Sequence, residues 1–138
     1  MLNYINAITE EKSYSGLQMK EFKPVMKLII RGKKREFLSA IGKSLNLLLP
    51  TEANTSSRSD KLTALWLSPD EWMIYSNEIL NSKSNDYETE NLLNNNISKK
   101  NLGAVTDVTD QFVLINLKGD PVSNRSKILS PLIFIRTN

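Results

Sequence analysis

The chain of 138 residues contains neither cysteine nor histidine. Without cysteine there is no disulfide framework, no Cys-zinc or iron-sulfur ligation and no thiol nucleophile. Without histidine, the commonest metal ligand and the commonest general base are missing, which excludes a Ser-His-Asp or Cys-His mechanism carried by this chain alone. Any catalysis would rest on carboxylates, lysine, tyrosine or groups supplied by a partner. No apolar run approaches the roughly 20 residues needed to span a bilayer. The N-terminus, with Asn3, Asn6, Glu10 and Glu11, lacks the basic and then apolar order of a secretory signal, so a soluble cytoplasmic protein is expected. A basic stripe is missing too, because the net charge of +3 is spread along the sequence. The densest basic run, Arg31-Gly32-Lys33-Lys34-Arg35, reads first as a solvated strand-to-helix corner, and second as a contact for a phosphate or an acidic partner.

What is present suits one modest domain with a real hydrophobic core. Residues 1–24 show no sustained period and contain Ser13, Ser15, Gly16 and Lys20, so an irregular N-terminal arm is predicted there, followed by a single α+β domain over 25–138. Val25 to Arg31 is rich in branched apolar residues and closes at Gly32, which predicts a buried strand. Phe37, Leu38, Ile41 and Leu45 recur at helical spacing despite Gly42, and Leu47 to Pro50 ends that helix. Thr51 to Ser59 is a polar loop.

Both tryptophans then fall in one compact segment. Leu62, Ala64, Trp66, Trp72 and Ile74 alternate around Ser68-Pro69-Asp70-Glu71, which predicts a β-hairpin with one buried row. Proline sets the first corner, and Ser68 and Asp70 can bond local amides. Core packing is the simpler reading of the two indoles, ahead of a ligand platform. Asp86 is placed to cap a helix carrying Tyr87, Leu92, Leu93 and Ile97, weakened by Asn94-Asn95-Asn96. Residues 104–118 form a strand region, strongest from Phe112 to Leu117 and ended by Gly119. Asp120-Pro121 opens another helix with Ile128 and Leu129 buried, Ser130-Pro131 stops it, and Leu132 to Asn138 suffices for one strand, paired at a sheet edge or docked on another chain.

In order, these elements predict a ferredoxin-like βαββαβ unit with an antiparallel sheet and two helices on one face. Leu28-Ile29-Ile30-Arg31-Gly32 is echoed by Ile115-Asn116-Leu117-Lys118-Gly119, so a second repeat is expected to begin near 104–119 and to be incomplete.

Three segments resemble the gamma subunit of heterotetrameric sarcosine oxidase. Ala64-Leu65-Trp66-Leu67-Ser68-Pro69-Asp70-Glu71-Trp72 is similar to that family's Ala-Leu-Trp-Leu-Gly-Pro-Asp-Glu-Trp segment, with Ser68 where glycine is usual. Gly103 to Asp110 resembles its Val-Asp-Val-Ser-Asp segment, with Thr109 in place of serine, and Gly119-Asp120-Pro121 with Ile128-Leu129-Ser130-Pro131-Leu132 resembles the following helix and its Cys-Pro-Leu terminator, with Ser130 where cysteine is common. The matches run in order from Leu62 to Leu132.

The resemblance implies the fold of the folate-binding domain of glycine-cleavage aminomethyltransferase, of which the second half is expected to be incomplete. It also implies a non-catalytic accessory subunit of a complex that demethylates sarcosine to glycine, passes the one-carbon unit to tetrahydrofolate and forms hydrogen peroxide. FAD, FMN, NAD, zinc and tetrahydrofolate would then belong to the alpha, beta and delta subunits, with no cofactor on this chain. A stand-alone folate-binding domain is the alternative. An RNA-binding ferredoxin-like module ranks last, because Phe112 stands alone in its strand without the paired aromatics that stack bases. Neither nucleic acid nor membrane is an expected partner.

No catalytic, cofactor-binding or metal-binding residue is expected. Asp70 and Glu71 are turn chemistry before they are an acid-base pair, since nothing nearby in the sequence would raise one pKa. Candidate partner contacts are Trp72, as an interface anchor, the cations Arg31, Lys33, Lys34 and Arg125, and the carboxylates Asp107 and Asp110. The two aspartates, three residues apart, would point to opposite faces of an extended strand, so a bulge or turn that holds one of them by backbone amides is the simplest expectation.

Overall fold

A computed structural model of the chain describes residues 12–14, 17–78, 87–118 and 133–136. The elements in order are β1 (Lys12–Tyr14), β2 (Leu17–Glu21), β3 (Lys27–Arg31), α1 (Arg35–Leu45), β4 (Ser56–Arg58), β5 (Leu62–Ser68), β6 (Glu71–Ser76), α2 (Tyr87–Leu93), β7 (Ala104–Asp107), β8 (Leu114–Lys118) and β9 (Ile133–Arg136). Contacts divide them into two compact units, Val25–Thr109 and the combination of Met1–Pro24 with Asp110–Asn138.

Within Val25–Thr109 the strand order is β4-β5-β6-β3-β7, and every neighbouring pair is antiparallel. Setting aside the short edge strand β4, this is the ferredoxin-like βαββαβ arrangement, with α1 between β3 and β5 and α2 between β6 and β7. The row read from the sequence holds in the ladder: Ala64 pairs with Ile74 and Trp66 with Trp72, while Ile30 lies beside Trp72 on the other side. Leu28, Ile30, Ala64, Trp72 and Ile74 join Phe37 and Ile41 of α1 and Leu93 and Ile97 of the second helical segment in one buried cluster. The register of the hairpin shifts between Trp66 and Ser68, so Leu67 is an extra residue at a bulge and stands 38% exposed.

α1 forms because its buried positions, Phe37 and Ile41, are one helical turn apart. It stops at Asn46, whose φ of 49° lies in the left-handed region where asparagine is tolerated better than most residues. The ring of Phe37 fills the space that a Cβ on Gly32 or on Gly103 would need, and a Cβ on Gly103 would also run into the Arg31 carbonyl. Glycine at these two positions is therefore a packing requirement of Phe37.

The second helix follows expectation at Leu93 and Ile97, which are fully buried, but not at Tyr87 and Leu92, which are 59% and 41% exposed. The triple asparagine does not break it. The α-helical hydrogen bonding gives way to a π-helical turn over Asn94–Ser98, with Lys99 N–H donating to the Asn94 carbonyl at 2.9 Å and Leu102 N–H to the Ile97 carbonyl at 3.1 Å. Asn96 Nδ2 also donates to Ser44 Oγ at 3.0 Å, linking this turn to α1. The proposed cap Asp86 lies outside the described residues.

Two expectations are corrected in the other unit. Residues 1–24 are not irregular throughout: β1 and β2 form a hairpin, and β2 pairs with β8 from Gln18 opposite Lys118 to Glu21 opposite Ile115. The alternation of Leu17, Met19 and Glu21 as the more buried residues of β2 is a short strand signal whose partner lies far along the sequence. Second, residues 25–138 are not one unit, because the strand region 104–118 is two strands in two sheets. Lys27 takes over the hydrogen bonding at the break, accepting from Val108 N–H at 2.9 Å and donating its own N–H to Thr109 Oγ1 at 3.0 Å. A turn follows, so Ala104–Asp107 closes the ferredoxin-like unit, and Leu114–Lys118 belongs to the sheet ordered β1-β2-β8-β9. In that sheet β9 runs parallel to β8, with Ile133 opposite Leu114. The helix expected from Asp120 to Leu129 lies outside the described residues.

Candidate functional site

The hairpin turn and the β3–α1 corner meet at one end of the five-stranded sheet. Gly32 N–H donates to the Asp70 carbonyl at 3.0 Å, which ties the two loops together. Asp70 is also held by its side chain. Ser68 Oγ donates to Asp70 Oδ1 at 2.9 Å, and Lys33 Nζ stands 3.6 Å from Oδ2. The Ser68 hydrogen bond foremost keeps the Asp70 carboxyl below its ordinary pKa; desolvation, the next largest effect, opposes it, and the charges of Lys33 and Arg31 add to the lowering. This makes it a firmly ionised turn residue and a poor proton donor.

Trp72 lies beneath this corner. Only 3% of it is exposed. Its ring stacks on Phe37 with centroids 5.8 Å apart, and its Nε1–H donates to the Pro50 carbonyl at 2.7 Å. The indole thus satisfies its single donor and anchors the chain leaving α1. A residue so enclosed packs the fold and has almost no surface to offer a partner. Trp66, its cross-strand neighbour, is only half-buried and forms a wall of a cleft of about 300 Å³ together with Gly32, Lys33, Leu38, Thr51, Ala53, Pro69 and Trp72.

The other candidate contacts are scattered. Arg31, Lys33 and Lys34 are exposed at the corner, and Lys34 is the residue preceding α1, with no side-chain cap. Asp107 lies at the far end of β3, opposite Leu28, whereas Arg31 faces Ala104. Its Oδ1 accepts from Thr109 N–H at 2.9 Å, the amide-held aspartate expected at a strand break. Asp110 is exposed in the turn, and Arg125 lies outside the described residues.

Sequence reasoning missed two polar positions. Asn77 clamps the start of the hairpin, its Nδ2 donating to the Ser59 carbonyl at 3.0 Å and its Oδ1 accepting from Thr63 Oγ1 at 2.7 Å. Lys27 is 3% exposed, with Nζ donating to the Val25 carbonyl at 3.0 Å. Only their place next to strand ends could have marked them. Among the described residues no group of three or more Asp or Glu side chains could hold a metal ion. No helix among them is long and apolar enough to cross a membrane.

Fold and site together define an α+β protein of the ferredoxin-like class with a packed tryptophan hairpin, a class that hosts many unrelated functions. No family model and no curated protein matches the sequence. Among solved structures the chain is similar to a chain of the heterotetrameric sarcosine oxidase from Corynebacterium sp. U-96, determined in complex with pyrrole 2-carboxylate, with a TM-score of 0.64 and 17% identity. The likeness covers 82% of this chain and 55% of that one. At this identity it is a likeness of fold, and the present chain spans little more than half the length of its neighbour.

Proposed function

We propose that this protein is a non-catalytic accessory subunit of a sarcosine oxidase complex, in the position of the gamma subunit. One observation carries the reading: the fold shared with a sarcosine oxidase chain extends over 82% of the sequence. The Trp66-to-Trp72 hairpin that resembles the gamma family is the packed centre of that fold, and the absence of cysteine and histidine agrees with a role in assembly. In this reading the complex converts sarcosine to glycine with transfer of a one-carbon unit to tetrahydrofolate and formation of hydrogen peroxide. The chain binds no cofactor, and FAD, FMN, NAD, zinc and tetrahydrofolate are held by alpha, beta and delta partners in the cytoplasm. In this reading the parallel pair β8–β9 opens a second repeat.

Co-expression with the large flavin-bearing and folate-bearing chains of such a complex tests this. Recovery of all chains in one stoichiometric species is the expected outcome. Recovery of this chain alone while the others assemble without it counts against the reading. Tetrahydrofolate added to the purified chain is expected to leave its tryptophan fluorescence and melting temperature unchanged; a saturable shift would favour a stand-alone folate-binding domain.

A further inference from the structure

The cleft beside Trp66 is an apolar pocket whose charges offset each other, and we propose that it binds a neutral compound with a single aromatic ring. Its walls include the half-buried Trp66 indole, Leu38, Pro69, Ala53 and the buried Trp72. Apolar and aromatic lining with a few polar groups is the usual make-up of a small-ligand site, and a volume of about 300 Å³ is at the small end of such sites. It admits one ring with a short substituent and is too small for a multi-ring cofactor. Lys33 is the one lining residue that carries a charge. Its ammonium stands 3.6 Å from the ionised Asp70 carboxylate, so cation and anion offset and neither is left over for a charged ligand. Two donors at the cleft are also spent, the Trp72 indole N–H on the Pro50 carbonyl and the Gly32 amide on the Asp70 carbonyl. What the walls still offer is apolar surface, the Trp66 indole and the Thr51 hydroxyl. A charged compound entering here would give up hydration without gaining a partner, whereas a neutral ring leaves water and packs against an indole. The site goes beyond the subunit reading and does not depend on it, since all of its residues lie within Val25–Thr109.

The test is a titration of the full-length, nitrogen-15-labelled chain with benzyl alcohol, followed by amide and indole NMR signals. Benzoate and benzylammonium keep the ring and add a charge of either sign, and ethanol keeps the hydroxyl without the ring. Saturable shifts of the Trp66 indole and of the Leu38, Thr51 and Ala53 amides are expected with benzyl alcohol, with about tenfold weaker binding of both charged compounds and no saturation by ethanol. Ala53→Phe, a change at an exposed position that offers the cleft a ring of the chain's own, is expected to weaken benzyl alcohol by about tenfold while the melting temperature holds. Absence of saturable shifts with benzyl alcohol overturns the proposal, as do equal or tighter binding of either charged compound and shifts that map to another surface. Unchanged binding to a folded Ala53→Phe chain contradicts it too, and the comparison of ligands on the parent chain decides the matter even where that variant does not fold.

Discussion

Trp72 shows how much one side chain can organise. It stacks on Phe37, which in turn excludes any Cβ at Gly32 and Gly103, and it hydrogen-bonds the carbonyl of Pro50, 22 residues away in sequence. Trp72→Ala removes all of this and is expected to lower unfolding free energy by ~3–5 kcal/mol, measured by denaturant titration. Trp72→Phe keeps most of the apolar contact and strands the Pro50 carbonyl, so a loss of ~1–3 kcal/mol is expected. A Trp72→Ala chain with an unchanged denaturation midpoint would show that the indole is not a core residue. Asp70 offers a test by pH. Its folded pKa is depressed, so the stabilisation it gives is complete above the pKa of the unfolded chain and is lost as the pH falls through the lower, folded value. An NMR titration is expected to place its midpoint below the ordinary carboxylate value, and Ser68→Ala to move it back up; an unshifted Asp70 in the parent chain would contradict the turn geometry. The alternating row through both tryptophans was legible because a strand repeats every second residue. The bond from Trp72 to Pro50 was not, because no local pattern encodes a contact across a loop.

At the scale of elements, periodicity located β3, α1, the hairpin and the buried side of the second helix. It misplaced what depends on hydrogen bonding between distant segments. Residues 104–118 contain strand-forming residues almost throughout, and only the capture of Val108 and Thr109 by the Lys27 backbone divides them between two sheets. β2 went unread because five residues carry too few repeats to stand out, and the π-helical turn because its five-residue hydrogen bonds leave no apolar spacing of their own. The end of α1 is directly testable. Asn46 has a positive φ, so Asn46→Gly is expected to keep or raise the melting temperature, whereas Asn46→Val is expected to cost ~1–2 kcal/mol. If valine is tolerated there as well as glycine, the left-handed cap is not formed in solution. Gly103→Ala, which sets a methyl group against the Phe37 ring and the Arg31 carbonyl, is expected to destabilise by ~1–3 kcal/mol in the same assay.

At the scale of the molecule, the ferredoxin-like unit was readable from element order alone, while the second sheet, built from both ends of the chain, was not. The candidate site was legible only in part. The basic corner and the hairpin stood out in the sequence, yet their meeting across Gly32 and Asp70, with a cleft beside Trp66, needs the folded sheet. The proposed place of this chain in a sarcosine oxidase complex is a claim about assembly with other chains. Sedimentation velocity of the purified chain, alone and mixed with the flavin-bearing and folate-bearing chains of a sarcosine oxidase complex, tests that assignment most directly. One heavier boundary containing this chain in fixed stoichiometry is the result expected; two independent boundaries at every mixing ratio would contradict it.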